Sequence, residues 1–170
     1  HKSAHDLVDL VERTALLLAP LAAKKSIAIR VRAGSKSGAF SVDGAQLQQV
    51  LANLVMNAIQ AMHGPGEVVL ATSTVCVRPP PDHGGPEAAF HRVVVSDEGE
   101  GILPEHLGHI FEPFFTTKDV GEGTGLGLAV AYGIVHEHGG WIEVKSERNR
   151  GTEFSVYLPA VVEDEPTAAN

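Results

Sequence analysis

The 170-residue chain has one cysteine, few aromatic residues (5%) and no apolar run long enough to cross a bilayer. A single thiol, Cys76, excludes an internal disulfide and any metal site built from several cysteines. Cys76 lies in an apolar alternating run, so it is expected to be a buried core thiol. No secretory leader is visible, which fits a cytoplasmic segment that is not membrane-inserted. Cations are also scarce. The 13 Lys and Arg against 21 Asp and Glu leave a net charge of −8. Nucleic-acid backbones select basic faces, so a nucleic-acid partner is not expected. The first residue is His1 rather than Met, and the chain is expected to be a monomeric piece of something longer.

What is present describes a soluble domain. Hydrophobic residues make up 44%, enough for a real core at this length. Asp6 to Ala22 places Leu7, Leu10, Val11, Thr14, Leu17, Leu18 and Leu21 at three- and four-residue steps, an amphipathic helix that Pro20 would end or kink. Ile27 to Arg32 alternates as a strand, and Phe40 to Val42 fits a short second one. Asp43 with Gln46 has capping-box spacing and opens a helix that stops at Gly64-Pro65-Gly66. Glu67 to Val77 and His91 to Ser96 read as strands around a Pro/Gly connector, Pro79 to Pro86, expected to be a mobile tip. A long loop follows, with one short helix at Pro104 to His109. The next helix is Thr124 to His138, and a final hairpin pairs Trp141–Lys145 with Thr152–Leu158. Hairpins outnumber crossovers, and all three long helices carry one apolar stripe. That order predicts a two-layer α/β sandwich, with a mixed, mostly antiparallel sheet and the three main helices on one face. It disfavours a doubly wound dinucleotide fold.

The chemistry concentrates in three places. Gly121-Glu122-Gly123-Thr124-Gly125-Leu126-Gly127-Leu128 alternates glycine with other residues and then enters a helix. Bare backbone amides at a helix N-terminus form a cradle for phosphate. Asn53 and Asn57 stand one turn apart on a single helix face, and their carboxamide oxygens suit a hard cation such as Mg²⁺. Two asparagines bonded to nearby backbone are the plainer alternative. Asp97 ends the apolar strand Val93-Val94-Val95-Ser96 and enters Glu98-Gly99-Glu100-Gly101. A carboxylate there can accept a hydrogen bond from the exocyclic amine of a base. An Asx-type turn is the alternative. The combination points to a nucleotide.

Asn53-Leu54-Val55-Met56-Asn57-Ala58 resembles the N box of the histidine-kinase ATP-binding domain. Asp97 to Ile102 resembles its first glycine box, Phe111 to Lys118 its F box, Gly123 to Leu128 its second glycine box, and Gly151 to Phe154 its closing strand. Order and spacing agree over roughly residues 40 to 159. The chain therefore resembles the catalytic domain of two-component sensor histidine kinases, nearest the nitrogen-regulator type, within the wider class that includes type II topoisomerases. The resemblance implies a Bergerat-type ATP-binding fold. It implies that Asn57 holds the Mg²⁺ of bound ATP, that Asp97 with Thr152 meets the adenine amine, and that Gly99, Gly101 and Ile102 lie at the base. It also implies that Gly123, Thr124, Gly125, Leu126, Gly127 and Leu128 wrap the phosphates under a mobile lid, about residues 98 to 123, anchored by Phe111, Phe114 and Phe115. Asn53 stands where hydrolysing relatives carry a glutamate base, and an amide cannot take a proton at neutral pH. Gln60 stands where many members carry lysine, and Lys118 is the candidate replacement.

The resemblance divides the chain into a helix at residues 1–24, leading from a missing dimerisation and phosphoacceptor region, the ATP-binding domain at 25–159, and an acidic tail at 160–170. The acceptor histidine is absent. His63, His83, His91, His106 and His109 read as surface or lid residues, and His136 and His138 sit at a helix end with spacing unsuited to a metal. The implied activity is transfer of the γ-phosphoryl group to a histidine on that separate domain, and then to a response regulator. A serine kinase of the anti-sigma-factor type and a non-transferring nucleotide sensor are the alternatives.

Overall fold

The computed structural model describes residues 2–34, 40–116 and 125–160. Its centre is a five-stranded sheet formed by β2 (Ile27–Arg32), β4 (Gly66–Val77), β5 (Ala88–Asp97), β6 (Trp141–Glu147) and β7 (Gly151–Pro159), in the order β2-β4-β5-β7-β6. Only β2 and β4 run parallel. A parallel pair needs a crossover, and α2 (Gly44–Ala61) supplies it. Alternation along the strands sends Val68, Leu70, Val93, Val95, Phe154 and Val156 to one face, where α1 (Leu7–Ala23), α2 and α4 (Gly127–Glu137) cover them. The expected two-layer sandwich is therefore observed.

Local chemistry explains where the helices begin. Asp6 caps α1 by accepting from the Val8 N–H at 3.0 Å, and Asp43 caps α2 by accepting from the Gln46 N–H at 3.0 Å. Pro20 does not stop α1. It sits in the last turn, and the carbonyl it leaves unpaired belongs to Leu16, whose side chain is on the exposed side. Leu17, assigned to the apolar stripe, is also exposed, while Leu7, Leu10, Val11 and Thr14 are buried.

The structure corrects other expectations. The Phe40–Asp43 strand (β3) is outside the main sheet and pairs antiparallel with a strand that sequence reading missed, β1 (Lys2–His5). Alternation over four residues is too short to separate a strand from a coil. The helix expected from Thr124 begins at Gly127, and the short loop helix, α3, spans only Pro104–Leu107. Cys76 is exposed rather than buried. It sits near the far end of β4, on the helix-side face but beyond the buried stretch of that strand. His91, expected at the surface, is buried on β5, and burial pushes its imidazole pKa down.

Most of the Pro/Gly connector is exposed, but His83 within it packs onto the sheet. The ring of His83 lies 4.9 Å from that of Trp141 and 6.4 Å from that of Phe90, centroid to centroid. Its Nδ1 meets the Gly84 carbonyl at 2.8 Å and its Nε2 meets the Gly139 carbonyl at 2.7 Å. Two carbonyl acceptors favour the doubly protonated ring, so the Gly139 and Gly84 carbonyls, in that order, raise the His83 pKa, with the Asp82 charge adding to them. Stability gained from this contact is fully present below the ordinary histidine pKa and is lost as pH rises through the raised one. Backbone amides of residues 79–86 should therefore exchange more slowly near about pH 6 than near about pH 8, after correction for intrinsic exchange chemistry. His83→Ala should abolish the difference. Equal corrected protection at both pH values would contradict the clamp.

Candidate nucleotide-binding site

Four chain segments meet at the end of β5, and glycine lets them do so. A Cβ on Gly99 would lie 2.5 Å from the Ala61 carbonyl oxygen at the end of α2. One on Gly101, whose φ is +75°, would lie 2.2 Å from the Glu147 carbonyl oxygen, and one on Gly151 would lie 2.0 Å from that of Asp97. These distances are too short for any side chain. The approach is closed by Glu100 N–H to Ala61 carbonyl at 3.0 Å and Asn149 N–H to Glu100 carbonyl at 2.7 Å. Glycine at 99 and 101 thus meets a need for close backbone approach between protein segments.

Asp97 sits at this junction, opposite Thr152 in the β5–β7 register. It is 7% exposed, and its Oδ1 accepts from the Gly99 N–H at 2.8 Å. Burial raises its pKa to about 6, assisted by the nearby Glu100 charge and opposed by N–H donors from Gly99 and Thr152.

Beside this floor opens a cleft of about 870 Å³. One wall is α2, contributing Asn53, Asn57 and Gln60. The start of α4 closes one end with Gly127 and Leu128, while Ile102, Ile110 and Phe115 give the opposite side its apolar character. Asn53 Nδ2 donates to the Gly127 carbonyl at 3.0 Å, tying α2 to the first turn of α4. The Asn57 carboxamide also lines the cleft, and among the described residues it has no hydrogen-bond partner. A cleft-lining amide without a protein partner suits a cation or a polar ligand group.

The structure thus brings Asn53, Asn57, Gly101, Ile102, Gly125, Gly127, Leu128 and Thr152 to one cleft. Gly99 and Asp97 do not line it. Asp97 lines a separate, shallow recess of about 250 Å³, which shares Thr152 with the main cleft. Leu126 is the residue before α4 and is 37% exposed. Lys118, Gly123 and Thr124 lie outside the described residues. Gly125 has φ +74°, and a Cβ there would strike the Phe114 backbone at 2.5 Å; its carbonyl accepts from the Phe114 N–H at 2.8 Å. Phe111 and Phe115 pack against the core, whereas the Phe114 ring is 73% exposed, at odds with an anchoring role for that ring.

Sequence reading missed Ser146, Arg148 and Asn149. Ser146 had a signal, because it is a hydroxyl at an inward position after Ile142 and Val144. It accepts from the Ile102 N–H at 2.7 Å and touches the Thr152 hydroxyl at 2.9 Å. Arg148 and Asn149 line the cleft from the β6–β7 turn. Nothing local in a polar turn marks such residues, because they reach the cleft only through the backbone contact with Glu100.

Residues 42–162 match the family described as histidine kinase-, DNA gyrase B-, and HSP90-like ATPase. The chain belongs to that family. Among curated relatives, sensor kinase CckA of Brucella abortus (strain 2308) is 39% identical over 175 residues, covering 96% of this chain and 18% of that protein. Among solved structures, the nucleotide-free catalytic domain of histidine kinase ThkA superposes with a TM-score of 0.78 at 28% identity, covering 94% of this chain and 96% of that one. Full-length ShkA in complex with AMPPNP superposes at 0.76 with 30% identity, covering 93% of this chain and 31% of that one. The chain spans between 18% and 33% of the length of the curated relatives it matches.

The raised pKa of Asp97 has a stability consequence. Its ionised form is disfavoured in the fold, so the penalty grows as pH rises from the ordinary 3.8 to about 6 and is constant above that. Asp97→Asn should stabilise the ligand-free protein by about 1–3 kcal/mol at neutral pH, with the gain fading below about pH 4. Urea denaturation at both pH values checks this. A loss of stability at neutral pH would show that the carboxylate is better accommodated than its burial implies.

Proposed function

We propose that this chain is the nucleotide-binding, phosphoryl-donating part of a sensor histidine kinase. It would hold Mg·ATP in the α2–α4 cleft and give the γ-phosphoryl group to a histidine on a phosphoacceptor domain outside the chain. A response regulator is the next acceptor, and the setting is cytoplasmic. The observation that carries this reading is a cleft lined by Asn57, which has no hydrogen-bond partner among the described residues, and by Thr152, the register neighbour of the buried acid Asp97, in a chain of this family.

The residues divide the work. Asn57 fits Mg²⁺ because it offers a neutral hard oxygen on the cleft wall, and the ion would keep several waters. When bound, Mg²⁺ would offset part of the triphosphate charge. Asp97 and Thr152 would receive the adenine amine from below. Ile102 and the apolar side of the cleft would cover the base. The α4 N-terminus would direct its free N–H groups at the phosphates. Arg148 is the cleft-lining arginine among the described residues, and Gln60 supplies no charge.

Asn53 bears on which reaction follows. Its Nδ2 is committed to the Gly127 carbonyl, and its amide oxygen has no useful basicity. Without a positioned base, activation of water loses about 10²–10⁴ in rate. The γ-phosphoryl group is therefore preserved until an acceptor arrives, and transfer rests on positioning and charge neutralisation.

Asn57→Ala should weaken Mg-dependent ATP binding at least about tenfold, or about 1.4 kcal/mol, in calorimetry. Binding measured in EDTA should change far less. Equal loss with and without Mg²⁺ would contradict a metal role for Asn57, and unchanged affinity would remove it from the site.

A further inference from the structure

We propose that Ser146 is a positioning residue that fixes the hydroxyl proton of Thr152 away from the cleft, making the base pocket acceptor-only and thereby setting its preference for 6-amino over 6-oxo purines. This rests on the reading that the cleft holds a nucleotide with its base near Asp97 and Thr152.

A count of protons around the Ser146 hydroxyl fixes its hydrogen-bond directions. The Ser146 Oγ has three neighbours. The Ile102 N–H lies at 2.7 Å and can only donate. The Gly151 carbonyl oxygen lies at 3.1 Å and can only accept. The Thr152 Oγ1 lies at 2.9 Å and can do either. Ser146 has one hydroxyl proton. All three contacts are satisfied in a single way: Ser146 donates to the Gly151 carbonyl, and both Ile102 N–H and Thr152 O–H donate to Ser146. Thr152, 5% exposed yet on the cleft wall, is then left with lone pairs to offer a ligand. Its register neighbour Asp97, when ionised, is an acceptor as well.

A floor of this kind takes an amine directly, or a water that donates to both acceptors. A 6-oxo group would place a third acceptor against two others with no proton at the 6-substituent itself. Sites that hydrogen-bond one substrate group discriminate strongly against analogues lacking it, because buried polar groups are left unpaired. The same oxygen holds the Ile102 amide. Ser146 thus links the segment that would cover the base to the hydroxyl that would read it. It touches no ligand itself and acts through Thr152.

The test compares ATP with inosine triphosphate, which carries a carbonyl oxygen in place of the 6-amine and a proton on N1. Binding to the 170-residue chain is measured by calorimetry for the unaltered protein, Ser146→Ala and Ser146→Thr. Ser146→Ala frees the Thr152 proton to turn toward the cleft. The ATP-to-ITP affinity ratio should fall about tenfold or more. Ser146→Thr retains a hydroxyl and should keep the ratio. If Ser146→Ala does not fold, Ser146→Cys, a weaker donor and acceptor of similar size, should lower the ratio in the same direction. An unchanged ratio, including equal weakening of both nucleotides, would mean a purely structural role and would overturn the inference. So would an unaltered protein that binds ATP and ITP equally. An unaltered protein that binds neither would instead sink the underlying site reading.

Discussion

Three backbone oxygens, of Ala61, Glu147 and Asp97, approach Gly99, Gly101 and Gly151 so closely that no side chain could stand between them. Everything at the candidate site depends on that convergence. It joins the end of α2, the exit of β5, the β6–β7 turn and the start of β7 at one point. Asp97 becomes buried because these segments close around it. Its carboxyl is held near pKa 6 by the same closure. Arg148 and Asn149 reach the cleft because the turn carrying them is bound to Glu100.

The opposite side of the cleft is held in a different way. There the bond from Asn53 to the Gly127 carbonyl spans α2 and α4, while Asn57 one turn later lines the cleft with no hydrogen-bond partner among the described residues. A single helix thus carries one amide spent on architecture and one available to a ligand. The apolar stripe of α2, including Leu51, Leu54 and Val55, fixes the rotation of both. An amide at position 53 cannot serve as a general base. Burial disfavours the ionised carboxylate of Asp97, a cost of the kind that structures carry at functional sites.

Much of this was legible in the sequence because the signals were periodic or chemically unusual. The α2 stripe, its Asp43 cap and the glycine-flanked acid at Asp97 all lie where spacing and capping rules place them. The strand β1 was missed because four residues carry too little alternation, and its partner β3 was consequently set in the wrong sheet. Cys76 was misplaced because an inward register does not guarantee a helix above it. His91 was misjudged because residue type outweighed its place in the β5 alternation, and the packing of the His83 ring on Trp141 leaves no trace in the Pro and Gly content of the connector. Ser146 shows the limit most clearly. Its inward position was readable, but the three partners of its oxygen come from residues 5, 6 and 44 positions away and exist only in the fold.

The account centres on one cleft between α2, α4 and the β5–β7 junction. Backbone amide NMR shifts recorded during titration with Mg·AMPPNP test it most directly. The account predicts the largest changes at Asn57, Gly101, Ile102 and Thr152, with the outward sheet positions Val75, Phe90 and Tyr157 unmoved. Perturbation concentrated on that outer face, with Asn57 and Thr152 silent at saturation, would contradict it.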